Sequence, residues 1–211
     1  MLNKLNIIDN KTNEILNKII AYSDKILSGN RLLVRQQENE LGNFTANACK
    51  HITNANLCVI NGGSIRASLP SGNITYKDIL AIFPFQNKIG TYKITGKQIK
   101  DMFEHSIEFI PDSFGGFLSV SSNVKIIYNS NNVPKQRIKE IYINNELLDI
   151  NKTYTIAMPS FLAAGGDDYI MLKNIILINE FDTIENLVIK YINEYSIQEK
   201  DYQLGRLINI D

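Results

Sequence analysis

Four short stretches of this chain hold residue types suited to recognising a small polar molecule. Asn61-Gly62-Gly63-Ser64-Ile65-Arg66 follows directly on Leu57-Cys58-Val59-Ile60, a continuously apolar run that reads as a buried strand. Glycines at a strand end permit a sharp turn and bring the backbone close to a ligand. Asn61 offers both a donor and an acceptor, and Arg66 offers a planar fork for an anion or a hydroxyl pair. Phe83-Pro84-Phe85-Gln86-Asn87 places an aromatic ring just after a proline. Phe161-Leu162-Ala163-Ala164-Gly165-Gly166-Asp167-Asp168 sets small residues ahead of an acidic pair, a loop able to expose Phe161 and aim a carboxylate. The alternating oxygen ligands of a calcium loop are missing there. Arg35 precedes Glu38, Leu41, Gly42 and Asn43. Each stretch has a plain alternative. These are a loop with a solvated arginine, a core aromatic, a surface turn, and a helix entry carrying a surface charge.

The elements that must hold these stretches read as a mixture of helices and short strands. Residues 3–28 read as an amphipathic helix, with Ile8, Ile15, Ile19, Tyr22 and Ile26 recurring at helical spacing. Ser28-Gly29-Asn30 stops it. A helix over 43–51 carries Phe44, Ala48 and Cys49 on one side. Thr75 caps a helix over 75–83, with Asp78 completing a capping box and Pro84 ending it. A strand over 88–95, a helix over 96–109, and strands over 117–120, 123–128, 137–143 and 153–157 follow. A helix over 182–195 comes last. The elements do not alternate as regular βαβ units, so the pattern favours α+β or a layered α/β arrangement over a doubly wound parallel sheet.

The bulk numbers fit one substantial domain. The chain has 211 residues, 44% hydrophobic, with 22 basic and 22 acidic side chains. Zero net charge gives no electrostatic footprint for a nucleic-acid polymer, although placed arginines still hold one small anion. No apolar run is long enough for a membrane span, and the first residues lack the apolar centre of a signal peptide. Cys49 and Cys58 read as two buried thiols. Two cysteines with His51 and His105, both read as helical scaffold, make a poor zinc set.

Taken in order, NGGSIR at 61–66, FPFQN at 83–87, GGFLSVSS at 115–122 and FLAAGGDDY at 161–169 resemble one known family. It is the C-terminal, substrate-binding domain of the 5'-nucleotidases, UDP-sugar hydrolases and 2',3'-cyclic phosphodiesterases. The likeness runs from about residue 33 to 173. It implies a four-layer α/β/β/α arrangement with mixed sheets for residues 31–211, behind a linker-like helix over 1–30. It also implies that Phe85 and Phe161 sandwich a nucleobase and that Asn61 approaches the base. By the same likeness Arg35 and Arg66 reach ribose and phosphates, Asp167 accepts from ribose hydroxyls, and Asn87 and Gly116 lie at the pocket edge. Asn47 departs from the family, in which Asp is frequent.

Enzymes of this family carry an N-terminal metallophosphoesterase domain with two metal ions, which activate water and stabilise the leaving oxygen. Its motifs do not occur in this sequence. The expectation is therefore a domain that recognises a nucleoside or nucleotide such as adenosine or AMP, with no cofactor of its own and no hydrolysis alone. Divalent metals would belong to the catalytic partner domain, in cis or in trans. The family is often periplasmic or extracellular. The alternative expectation is a free-standing binding or structural module with no part in hydrolysis.

Overall fold

The computed structural model describes residues 11–211. Residues 11–16 are helical, and the chain then enters strand β1, Ile19–Ser23. In order follow α1 (Glu40–Thr53), β2 (Leu57–Asn61), β3 (Gly72–Thr75), α2 (Tyr76–Ile82), β4 (Lys88–Thr95) and α3 (Gly96–Ser106). Next come β5 (Leu118–Val120), β6 (Val124–Tyr128), β7 (Ile138–Ile143), β8 (Glu146–Leu147), β9 (Thr153–Pro159) and the helical turn α4 (Ser160–Ala163). The chain closes with β10 (Ile176–Thr183), α5 (Ile184–Tyr195), α6 (Glu199–Tyr202) and β11 (Leu207–Asn209).

The helix expected over 3–28 is corrected here. Its first part lies outside the described residues, and from Ile19 the chain is strand. Ile19-Ile20-Ala21-Tyr22 is rich in β-branched and aromatic residues, which suit a strand, and it pairs antiparallel with Gly72–Thr75. Ile15, Ile19, Tyr22 and Ile26, which the helical spacing places on one buried face, are all exposed. Ile20 and Ala21 instead pack on the core. A distant partner strand overrides the local period.

Two mixed sheets carry the fold. The larger runs β10-β4-β9-β2-β5, with β2 and β9 parallel and the other pairs antiparallel. The smaller runs β11-β6-β7-β8, with β11 parallel to β6. Strand β2 shows how the layers divide. Cys58 and Ile60 join a core with Leu41 and Phe44 of α1, Ile79 of α2 and Leu187 of α5. Leu57 and Val59 point the opposite way, into a core with Ile99 and Phe103 of α3 and Ile126 and Ile141 of the smaller sheet. One strand thus faces two cores, as a four-layer α/β/β/α arrangement requires. Full burial pushes the Cys58 thiol pKa up, and both cysteines are free.

Local signals start the helices. Asn39 caps α1 by accepting from the Leu41 and Gly42 amides. Thr75 with Asp78 and Thr95 with Gln98 form reciprocal capping boxes at α2 and α3. The Asn47 amide is used on both sides, donating to the Asp201 carbonyl and accepting from the Ser122 amide. An ionised Asp there would supply no donor for the Asp201 carbonyl.

Candidate functional site

Three loops meet at the end of β2. Gly62 donates to the Phe117 carbonyl at 2.8 Å and Gly63 to the Gly115 carbonyl at 2.7 Å. Phe114 in turn donates to the Arg35 carbonyl at 3.0 Å. Gly62 is required by contact: a Cβ there would lie 1.8 Å from the Val34 carbonyl oxygen. The turn carrying Arg35 therefore rests directly on the turn carrying Asn61. The Arg66 backbone N–H donates to the Ile82 carbonyl at 3.0 Å, next to the end of α2 from which Phe85 emerges.

Asn61 joins the first motif to the last. Its Nδ2 donates to Asp167 Oδ2 at 2.9 Å, and its Oδ1 accepts from Ser64 Oγ at 2.6 Å. An amide held on both sides has one orientation, so the carboxylate it faces is aimed as well. Asp167 has φ 49° and ψ 34°, and Asp168 has φ 60°. Left-handed backbone at two successive non-glycine residues is uncommon and strained, and such strain gathers at functional loops. Gly165 and Gly166 lead into it. Gly166 lies under the Phe161 ring, where a Cβ would meet ring carbons at 2.4 Å.

These residues surround one cavity of about 430 Å³, within the range of small-molecule sites. Arg35, Asn61, Arg66, Phe85, Asn87, Phe161 and Asp167 all line it, with Gly63, Ser64 and Gly115. Gly116 stands behind rather than at the edge. Its carbonyl accepts from Tyr169 at 2.5 Å, and a Cβ on it would strike the Phe114 ring. The aromatic side chains are presented outward, Phe85 52% and Phe161 41% exposed. The Arg66 guanidinium lies 4.8 Å from the centre of the Phe85 ring.

The electrostatics favour an anion beside Arg35. Its Nε is buried with no hydrogen-bond partner. Its pKa is pulled below the usual arginine value, first by burial and then by the nearby charges of Arg31 and Arg66, while Asp167 opposes the shift. Two further cations crowd this guanidinium, and that local excess of positive charge suits an anion in the cavity. Among the described residues no group of three or more His, Cys, Asp or Glu is placed to hold a metal ion, and no helix is long and apolar enough to cross a membrane.

Sequence reasoning missed Arg31, Ser64, Gly115 and the packing around His105. The His105 ring is nearly enclosed, with Nε2 2.9 Å from the Asp167 carbonyl oxygen. Ser64 and Gly115 stand inside the NGGSIR and GGFLSVSS motifs without being singled out there, whereas Arg31 and His105 carry no local mark, His105 meeting Asp167 62 residues away.

Comparison with known proteins agrees with this arrangement. Residues 19–174 match the family model of the 5'-nucleotidase C-terminal domain. The chain is 34% identical over 169 residues to the trifunctional nucleotide phosphoesterase protein YfkN of Bacillus subtilis, covering 76% of this chain and 12% of that protein. It is 28% identical over 215 residues to the 5'-nucleotidase of Mus musculus, covering 90% of this chain and 36% of that one. The crystal structure of a 5'-nucleotidase precursor from Thermus thermophilus superposes with a TM-score of 0.86 at 25% identity, over 98% of this chain and 42% of that one. The chain thus spans roughly a tenth to two fifths of the length of these relatives. Matched over most of its length by sequence and by structure, it belongs to the 5'-nucleotidase C-terminal domain family.

Proposed function

We propose that this domain binds a nucleoside or nucleotide and presents it to a metal-dependent phosphoesterase domain, in cis or in trans. The observation that carries the reading is the Asn61–Asp167 hydrogen bond. It ties two motifs 106 residues apart into one floor, with Phe85, Phe161, Arg35 and Arg66 around the same cavity. The base stacks between the two phenylalanine rings, which suits any base because each has a π-face. The Asp167 carboxylate accepts from the ribose hydroxyls, and Asn61 keeps it in place. Arg35 and Arg66 take the phosphate, with Arg31 adding to the local positive charge. Asn87 lines the margin of the cavity, and Gly116, behind it, leaves room for Asp167. Names of the relatives, 5'-nucleotidase and nucleotide phosphoesterase, point to the same ligand class. Metal ions, water activation and bond cleavage are assigned to the partner domain.

Calorimetric titration of this chain with adenosine, AMP and ribose 5-phosphate tests the reading. AMP should bind more tightly than either of the others, because only AMP engages rings, diol carboxylate and arginines together. Absence of heat with all three at millimolar concentration would overturn it.

A further inference from the structure

Behind the Asp167 loop, outside the cavity just described, His105 occupies a built setting. It lies in the last turn of α3. Its Nε2 is 2.9 Å from the Asp167 carbonyl oxygen, and its Nδ1 is 3.1 Å from Glu108 Oε2. Three rings meet the imidazole edge to face: Tyr169 at 4.7 Å, Phe114 at 5.2 Å and Phe109 at 6.0 Å between centroids. The side chain is 11% exposed. Packing on three sides and an acceptor at each nitrogen leave the ring one orientation.

From this we infer that His105 is a positioning residue for the nucleoside pocket, setting the Asp167 carboxylate by gripping the backbone of the same residue. The inference rests on the proposed role of Asp167 toward the ribose. The peptide group after Asp167 must be held for the left-handed conformation to persist, since a non-glycine residue relaxes readily to negative φ. The His105 Nε2–H supplies that hold from one side, and Asn61 Nδ2 holds the carboxylate from the other. Released at the carbonyl, the residue rotates and its carboxylate leaves Asn61. Glu108 Oε2 lies at Nδ1, on the side of the ring away from the loop. Lys135, 3.5 Å from Glu108, pairs with that carboxylate from the solvent side. A neutral imidazole has one N–H and serves one of the two acceptors, whereas the imidazolium serves both. In either state the proposal requires hydrogen on Nε2.

The test pairs variants with ligands. Affinity for adenosine and for 2',3'-dideoxyadenosine, which lacks the diol, is measured for wild type, His105→Leu, His105→Gln and Asp167→Asn. His105→Leu should weaken adenosine about tenfold and leave the dideoxy ligand within about twofold, as expected for loss of a charge-assisted hydrogen bond to the diol. His105→Gln, which retains an amide donor of similar reach, should recover most of the loss. Asp167→Asn should show the same diol-specific defect. Equal weakening of both ligands by His105→Leu would mean a general packing role and overturn the inference. A diol-specific loss in Asp167→Asn with none in His105→Leu would overturn it while the nucleoside reading stands. No diol preference in wild type would overturn both. Long-range ¹H–¹⁵N spectra of the wild-type imidazole provide a check that needs no variant. Hydrogen on Nε2 is expected, and the tautomer bearing hydrogen only on Nδ1 would overturn the proposal.

Discussion

Two glycines with similar neighbours in the sequence carry different kinds of constraint. At Gly62 an added methyl group meets the Val34 carbonyl, part of the backbone, which has nowhere to go. Gly62→Ala should therefore destabilise the fold by about 1–3 kcal/mol, read as a lower Tm. At Gly166 the obstructing atoms are the outer carbons of the Phe161 ring, which swings on its own side chain. Gly166→Ala should leave Tm nearly unchanged and weaken nucleoside binding, because it tilts one stacking surface. Removing a ring outright, in Phe85→Ala or Phe161→Ala, should cost about 1–3 kcal/mol of binding free energy, measured by calorimetry. The predicted residues lining the cavity were gathered by family resemblance, because each stretch read alone had a plain alternative: a solvated arginine, a core aromatic, a surface turn, a surface charge at a helix entry. Arg31 and His105 were not, since an arginine in a polar stretch and a histidine on a helix have no local mark of what they touch.

Among the elements, legibility followed the range of the interactions. Strand β4 lies where alternation placed it, and α2 begins at the capping box formed by Thr75 and Asp78. Thr95 was not singled out, yet it closes the same kind of box at α3 with Gln98. Thr95→Ala should lower stability by about 1 kcal/mol, moving the denaturant midpoint without changing the slope m. Apart from the two-residue β8, which closes a hairpin with β7, the strands missed by pattern are those made by distant pairing. Strand β10 is an edge strand largely exposed along its length, with the consecutive apolar residues Ile176, Leu177 and Ile178 on show, so no period of two marks it. Its partner β4 lies far earlier in the chain, joined antiparallel. Strand β3 is four residues beginning at a glycine with φ 85°, and β1 carries a spacing equally suited to a helix. Where the loop after β9 was expected, the chain instead makes short helical turns that set Phe161 and Asp167 facing one cavity.

For the whole molecule, the last residues are stitched to the entry of α1 and to β5. Glu38 accepts from the amides of Gly205 and Arg206, and the Arg206 guanidinium donates to the carbonyls of Asn43, Val120 and Asp201. Burial lowers the Arg206 pKa to about 10, with Glu38 and Asp201 opposing the shift. Arg206→Ala would leave three buried carbonyls without that donor, a loss of about 3 kcal/mol or more visible in urea denaturation. The four-layer arrangement came from resemblance, because no count of strands reveals that one sheet faces two cores. That arrangement serves the pocket, since loops from the ends of β2, α2 and β9 converge only when the layers are stacked. The most direct test of the central claim is an isotope-filtered nuclear Overhauser spectrum of the chain with adenosine. Contacts from the base protons to the rings of both Phe85 and Phe161 are expected. Bound adenosine whose base contacts neither ring, or contacts only residues outside the cavity, would contradict the account.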